Sequence, residues 1–188
     1  MSKRLLRPLD YLRIQHDDKG RYDWFYPYIA AGTFTALLAF LPGDLKILGP
    51  DGLLSIFTGI LQILVGFYIA SLAAVATFNR PAMDDLMQGD PPTLRDRRRG
   101  ELIQRNLTRR QFLSMMFGYL AFASIGLYFV GAFTNLLAPQ IAAAIPFTWW
   151  LEWTARWLGL FVYLFAAANL VVTTLLGLFY MSDRIHRA

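Results

Sequence analysis

Cysteine is absent from the 188 residues, and histidine occurs only twice. Disulfides, thiol catalysis and cysteine-based metal sites are therefore excluded. Charge is scarce as well: 16% of the residues are Asp, Glu, Lys or Arg, against about 25% in soluble domains. Apolar residues take their place, 56% of the chain, with 15 Phe, 9 Tyr and 5 Trp. That balance argues against a soluble protein and against disorder, and it points to an integral membrane protein of one domain.

Four uncharged runs approach or exceed the length that crosses a bilayer, about 20 residues. They cover about 24–41, 52–78, 112–137 and 158–181. The first, from Trp24 to Leu41, is the shortest; Pro27 falls in its first turn, where a missing amide is harmless, and Pro42-Gly43 stops it. The helix of the fourth run starts as early as Trp150. The apolar sequence begins only near residue 24, after an acidic stretch and without a small-residue cleavage site, so no signal peptide is expected. None of the runs alternates as a barrel strand would. The expected fold is all-α: an integral membrane four-helix bundle in a single domain spanning 1–188. Short cytoplasmic amphipathic helices and an outer interfacial or re-entrant segment complete it.

Orientation follows from the cations. Of 18 Lys and Arg, all but Lys46 and Arg156 fall before span one, between spans two and three, or in the tail. The positive-inside rule places both termini and the 79–111 loop in the cytoplasm.

That loop is too long for a bare connector. Pro81 to Gln88 predicts a short helix with Met83, Leu86 and Met87 on one side, and Gly89-Asp90-Pro91-Pro92 breaks it. Thr93 reads as an N-cap with Asp96 three places on. A helix is expected from Leu94 to Gln111 on the sparse apolar positions Leu94, Leu102, Ile103 and Leu107, with Glu101 and Arg105 as an i,i+4 pair. Arg97, Arg98, Arg99 and Arg105 are the candidate contacts to lipid headgroups or to an acidic protein partner. No folded basic surface of a nucleic-acid reader is encoded, so nucleic acid is not an expected partner.

The N-terminal segment interleaves Leu5, Leu6, Leu9, Leu12 and Ile14 with charges, which predicts a short amphipathic piece against the membrane. His16-Asp17-Asp18 reads as a solvated polar turn, because adjacent residues rarely close a metal site by themselves. No metal and no cofactor is expected.

On the outer side, Ala138 to Trp150 is uncharged and broken by Pro139 and Pro146, too short to span but suited to an interfacial or re-entrant course. Trp149, Trp153 and Trp157 recur every fourth place and line one helical face. They form either an aromatic belt at the membrane boundary or the rim of a pore.

Within the spans no Asp, Glu, Lys, Arg or His occurs. Such residues usually mark proton relays, coupled transport and intramembrane chemistry, and no catalytic motif is present, so no enzyme is expected. The polar residues that do occur, Gln62, Asn169 and Thr173 foremost, must bond across helices or line a narrow conduit, because an unpaired amide in hydrocarbon is costly.

Three functions remain. The leading one is a non-enzymatic subunit of a bacterial inner membrane, which anchors, scaffolds or senses for a cytoplasmic partner and is assembled as a homo-oligomer. The alternative is an oligomeric channel. The least supported is a small transporter or membrane enzyme. No motif identifies a family. The layout alone is similar to small four-span subunits of bacterial accessory and antiviral systems, in which a membrane protein recruits a soluble effector.

Overall fold

The computed structural model describes residues 6–16, 18–41, 46–77, 81–86, 91–98, 101–144 and 149–184. Four α-helices carry most of these: α1 (Tyr26–Phe40), α2 (Leu53–Thr77), α3 (Arg109–Ala144) and α4 (Trp149–Phe179). Among the described residues, three segments are long and apolar enough to cross a membrane, Leu53–Thr77, Arg109–Gln140 and Trp149–Ser182. The 15 residues of α1 reach only about 22 Å, short of a hydrocarbon core of about 30 Å. Pro27 sits in its first turn. Its end is set at Leu41, which turns extended (ψ 129°), because a residue before proline is driven out of the helical region.

Chain direction alternates along the packed helices. Thr58 of α2 lies beside Gly131 of α3 and Gln62 beside Tyr128, so α2 and α3 are antiparallel. Gly177 of α4 meets Met116, while Tyr163 meets Gly131, so α3 and α4 are antiparallel too. α1 packs on the far side of α4 through Tyr28 against Phe161, and Trp24, just before α1, meets Phe165. α4 is thus flanked by α1 and α3, and it also touches α2 through Phe57–Tyr163 and Tyr68–Thr174. Apolar side chains left outside this packing, among them Ile56, Ile63, Phe129 and Leu136, are exposed along the long helices. On helices of this length, such surfaces are lipid-facing.

The 79–111 region departs from the helical expectation. A hairpin of β2 (Thr93–Arg98) and β3 (Glu101–Asn106) occupies it, and β1 (Ile14–Gln15) adds a third antiparallel strand. The register runs Thr93↔Asn106 to Arg98↔Glu101, with Ile14 opposite Leu94. The physical reason lies in the apolar spacing. Leu94, Leu102, Ile103 and Leu107 form no continuous helical stripe, and adjacent Leu102 and Ile103 point to different faces of any helix. Register Arg98↔Glu101 leaves only Arg99-Gly100 between the strands, and a glycine in a two-residue connection is a hairpin signal. The expected i,i+4 pair of Glu101 and Arg105 does not fit a strand, in which residues four apart stand about 13 Å from each other, and Arg105 donates to Gln111 Oε1 at 3.3 Å.

The other short helices are corrected as well. Pro81–Met83 is a single 3₁₀ turn, and Leu86 then bridges to Thr108; Met87 and Gln88 lie outside the described residues. The amphipathic N-terminal piece is a 3₁₀ segment, Arg7–Arg13, whose buried residue is Tyr11, while Leu12 is exposed. A separate re-entrant course from Ala138 is not seen either: α3 continues through Pro139 to Ala144. Pro139 removes one backbone bond, but Ile141 and the three alanines after it hold the helix, alanine being the best helix former. Residues 145–148 lie outside the described set.

The sheet is fastened to one end of the helices. Ile14, Met83, Leu107 and Phe112 are buried in the same core as Met116, Phe117 and Leu120 of α3. Arg110 then ties three elements together. It grips Asp84 with Nε at 2.8 Å and Nη2 at 3.3 Å, and donates from Nη1 to Val75 O at 3.1 Å. Val75 lies in the last turn of α2, where carbonyls lack helical partners and attract a cation.

Candidate functional site

The chain before α1 does more than lead into the membrane. Residues Arg21–Phe25 form a π-turn directly continuous with α1, and Lys19 and Asp23 fall one turn apart on its inward side. Their charged groups form an ion pair with only 10% and 7% of the side chains exposed. The Lys19 ammonium also stands 4.5 Å above the centre of the Tyr11 ring, a cation–π arrangement that partly replaces lost hydration. Tyr11 stacks in turn on Tyr119 of α3, with ring centres 5.0 Å apart and planes 22° from parallel.

From Tyr119 the bonds pass into α4. The Tyr119 hydroxyl donates to Asn169 Oδ1 at 2.7 Å, and Asn169 Nδ2 donates to the backbone oxygen of Asp23 at 2.8 Å. Thr173, one turn further along α4 and 1% exposed, borders the ring and opposes in part the effect of burial on the Tyr11 hydroxyl. Residues from the N-terminal segment, α3 and α4 thus close one buried polar ring. Each member answers the requirement that a polar group removed from water be bonded.

The electrostatics of this ring are set by burial. Burial, the largest influence, lifts the Asp23 carboxyl above its ordinary range, and Lys19 opposes it only in part. Burial likewise pushes the Tyr11 hydroxyl well above the ordinary tyrosine range, and the nearby Asp23 carboxylate adds to the shift. Tyr11 is thus a neutral hydrogen-bonding group at any physiological pH.

Beside the ring lies a cavity of about 180 Å³. Asp23, Tyr119 and Asn169 form its polar end, and Ala123, Leu127 and Phe165 are among its apolar walls. The cavity lies between α3, α4 and the segment before α1, where small Ala123 and Ala166 leave room.

Of the residues singled out from sequence, Asn169 and Thr173 come together in this ring, both buried. Gln62 does not join them. It lies on the exposed side of α2 and donates to the Tyr128 hydroxyl at 3.1 Å. Arg97 and Arg98 lie in β2, Arg105 lies in β3, and Arg99 falls outside the described residues. Trp149 and Trp153 are exposed, 82% and 61%, and Trp157 is partly covered and 6.5 Å from Trp153 between ring centres. His16 is exposed, and its Nδ1 accepts from Asp18 N at 3.3 Å. Among the described residues no cluster of three His, Cys, Asp or Glu forms that would hold a metal ion.

Sequence reasoning missed Tyr11, Lys19, Asp23 and Tyr119. A signal was present: Lys19 and Asp23 are four apart immediately before an apolar run, the spacing of a helical ion pair. A carboxylate there faces the protein interior more readily than hydrocarbon.

In comparison with known proteins, the chain matches no protein-family model, no curated protein and no solved structure.

Proposed function

We propose that the protein is a non-enzymatic four-span subunit of a bacterial inner membrane, which anchors or senses for a cytoplasmic partner as a homo-oligomer. In this reading α1, extended by Trp24 and Phe25, is also a span, and both termini and the hairpin lie in the cytoplasm. The observation that carries the reading is the attachment of the arginine-rich hairpin to the helix ends. A basic segment that only set topology would need no fixed structure. Here β2 pairs with both β1 and β3, and the base of the hairpin is held by buried Ile14 and Leu107 and by the Arg110–Asp84 pair. A basic surface held in this way suits an acidic protein partner, because order present beforehand lowers the cost of binding.

The test is purification of the intact protein in nanodiscs from its native cells, with mass determination of the assembly. A stoichiometric soluble partner is expected, and Arg97→Glu with Arg98→Glu and Arg99→Glu is expected to release it while membrane insertion persists. A homo-oligomer that carries no partner, and is unaffected by the triple reversal, would refute the reading.

A channel built from several copies is the second reading, and Gln62 favours it. An amide on the exposed side of an apolar helix is costly in lipid and is better placed against another copy or water. Gln62→Leu should then change single-channel conductance in planar bilayers, and an unchanged, silent bilayer would remove this alternative.

A further inference from the structure

The cavity beside the polar ring has the form of a site for an amphiphile. Its closed side is made by Leu127 and Leu170, 9% and 2% exposed. Its open side is bordered by Leu12 and Trp24, 46% and 67% exposed. Tyr119 to Leu127 spans about 12 Å along α3, and α3 and α4 are both of membrane-crossing length. The opening therefore faces hydrocarbon, where only an acyl chain is at hand to fill it. Left empty, the walls forfeit dispersion contacts on one side. A volume of about 180 Å³ exceeds the roughly 150 Å³ of an apolar cavity that admits benzene.

The polar end supplies the second half of the site. Asn169, 8% exposed, spends one amide hydrogen on Asp23 O, and no bond is recorded for the other among the described residues. An amide carries two such donors. The one left over is suited to an ester carbonyl, which accepts and carries no charge. A free anionic head would meet the carboxylate of Asp23 instead.

We propose that this crevice is a resident binding site for one acyl chain of a bilayer phospholipid, with the chain between Ala123, Leu127 and Phe165 and its ester carbonyl against Asn169. The proposal rests on α3 and α4 crossing the bilayer and is independent of the anchoring role. In it the lipid is part of the packing, filling the gap between α3, α4 and the segment before α1. It also places a membrane component against the side chains that hold the N-terminal segment.

The experiment uses the full-length protein in phosphatidylglycerol–phosphatidylethanolamine nanodiscs that contain a phospholipid with a photoactivatable diazirine in one acyl chain. Crosslinks are mapped by mass spectrometry. Label is expected to concentrate on residues 119–127 and 165–170, above the level on the exposed α2 face around Ile56 and Ile63. Ala166→Phe puts a ring of benzene size into the crevice and should cut that label about tenfold, with α2 labelling unchanged. Ala123→Leu, a smaller insertion, should cut it in the same direction, and it serves if the phenylalanine variant does not fold. Equal labelling of crevice and α2, or crevice labelling that survives the substitutions, would overturn the site while leaving the crossing of the bilayer intact. Absence of label from every helix face would instead refute the crossing itself.

Discussion

The two ends of the helices are secured in different ways. At the end that carries the sheet, side chain meets side chain across three segments: Tyr11 stacks on Tyr119, Tyr119 bonds Asn169, and Lys19 pairs with Asp23. At the opposite end, among the described residues, the loop between α1 and α2 buries Ile47 against α4 and is tied to α3 by one amide. Asn135 Oδ1 accepts from Gly49 N at 2.6 Å, and its Nδ2 donates to Gly49 O at 3.3 Å. That embrace needs Gly49 in a left-handed conformation, φ 102°, which glycine adopts without steric cost. Beyond it stand Trp149 and Trp153, exposed and with no core to fill. One end is a cooperative network and the other a clasp on a single turn. Cooperative polar networks fix one arrangement strongly, so the sheet end is the part of the molecule built to hold a shape.

The sharpest way to break the contrast is Tyr11→Ala. This removes a fully buried ring that stacks on Tyr119, sits beneath Lys19 and touches Phe112. Truncation of a buried aromatic costs about 3–5 kcal/mol, and Lys19 loses its cation–π partner besides. Unfolding in denaturant followed by tryptophan fluorescence should show a loss of that order. Amide exchange should quicken in residues 7–25 and in the hairpin together, since β1 belongs to both. Faster exchange confined to residues 7–13 would mean that the network is not cooperative.

Acidity probes the same end. The Asp23 carboxyl is raised by burial, so the folded state binds its proton more readily than the unfolded chain does. The resulting contribution to stability is fully present below the ordinary aspartate value and is lost as pH rises through the raised one. Docking of residues 7–25 should therefore tighten on mild acidification, the reverse of a surface salt bridge. Asp23→Asn should flatten the profile, because the amide carries no charge to bury. Exchange rates of these residues across pH, corrected for intrinsic chemistry, decide it; a profile in which acid loosens the wild-type segment would contradict the sign.

These effects were only partly legible in the sequence. Long apolar runs dictate helices whatever packs on them, so α2, α3 and α4 could be read from composition and length. The sheet could not, because its register depends on Ile14, some 80 residues from Leu94 in the chain, and a local pattern of Arg and Leu says nothing about that partner. Asn169 and Thr173 stood out as polar residues within an apolar helix. Their partners Tyr11 and Asp23 looked like ordinary members of a charged leader. Only the fold of the leader back against α3 and α4 brings them inside. Pro139 misled in the other direction: proline usually ends a helix, yet the alanines behind it carry α3 on to Ala144.

At the other end, Asn135→Ala tests the clasp. Two backbone groups of Gly49 lose their side-chain partner, and each hydrogen bond contributes about 0.5–1.5 kcal/mol net. Water at an exposed loop takes over part of what is lost, so the measured cost should be about 1 kcal/mol. Exchange should quicken around residues 46–52 with no change at residues 7–25. A response that reached the N-terminal segment would show the two ends to be coupled and erase the distinction drawn above.

Tyr163 gives the smallest effect and the opposite sign. Its ring lies at the junction of α2, α3 and α4, against Phe57 and Gly131, and is 6% exposed. Its hydroxyl is buried with no hydrogen-bond partner among the described residues. The ring contributes packing there, while the hydroxyl bears a desolvation penalty that no bond offsets. Tyr163→Phe keeps the ring and deletes the orphan oxygen, so stability should be unchanged or rise by up to about 1 kcal/mol. The same change at Tyr119, whose hydroxyl is bonded to Asn169, should destabilise. Denaturant unfolding of the two single variants in one detergent makes the comparison. Two buried tyrosines, altered identically, should move stability in opposite directions because one belongs to the network and the other stands outside it. A clear loss from Tyr163→Phe would mean that its hydroxyl has a partner in the membrane, and the middle of the helices would then be polar-tied in the way the sheet end is.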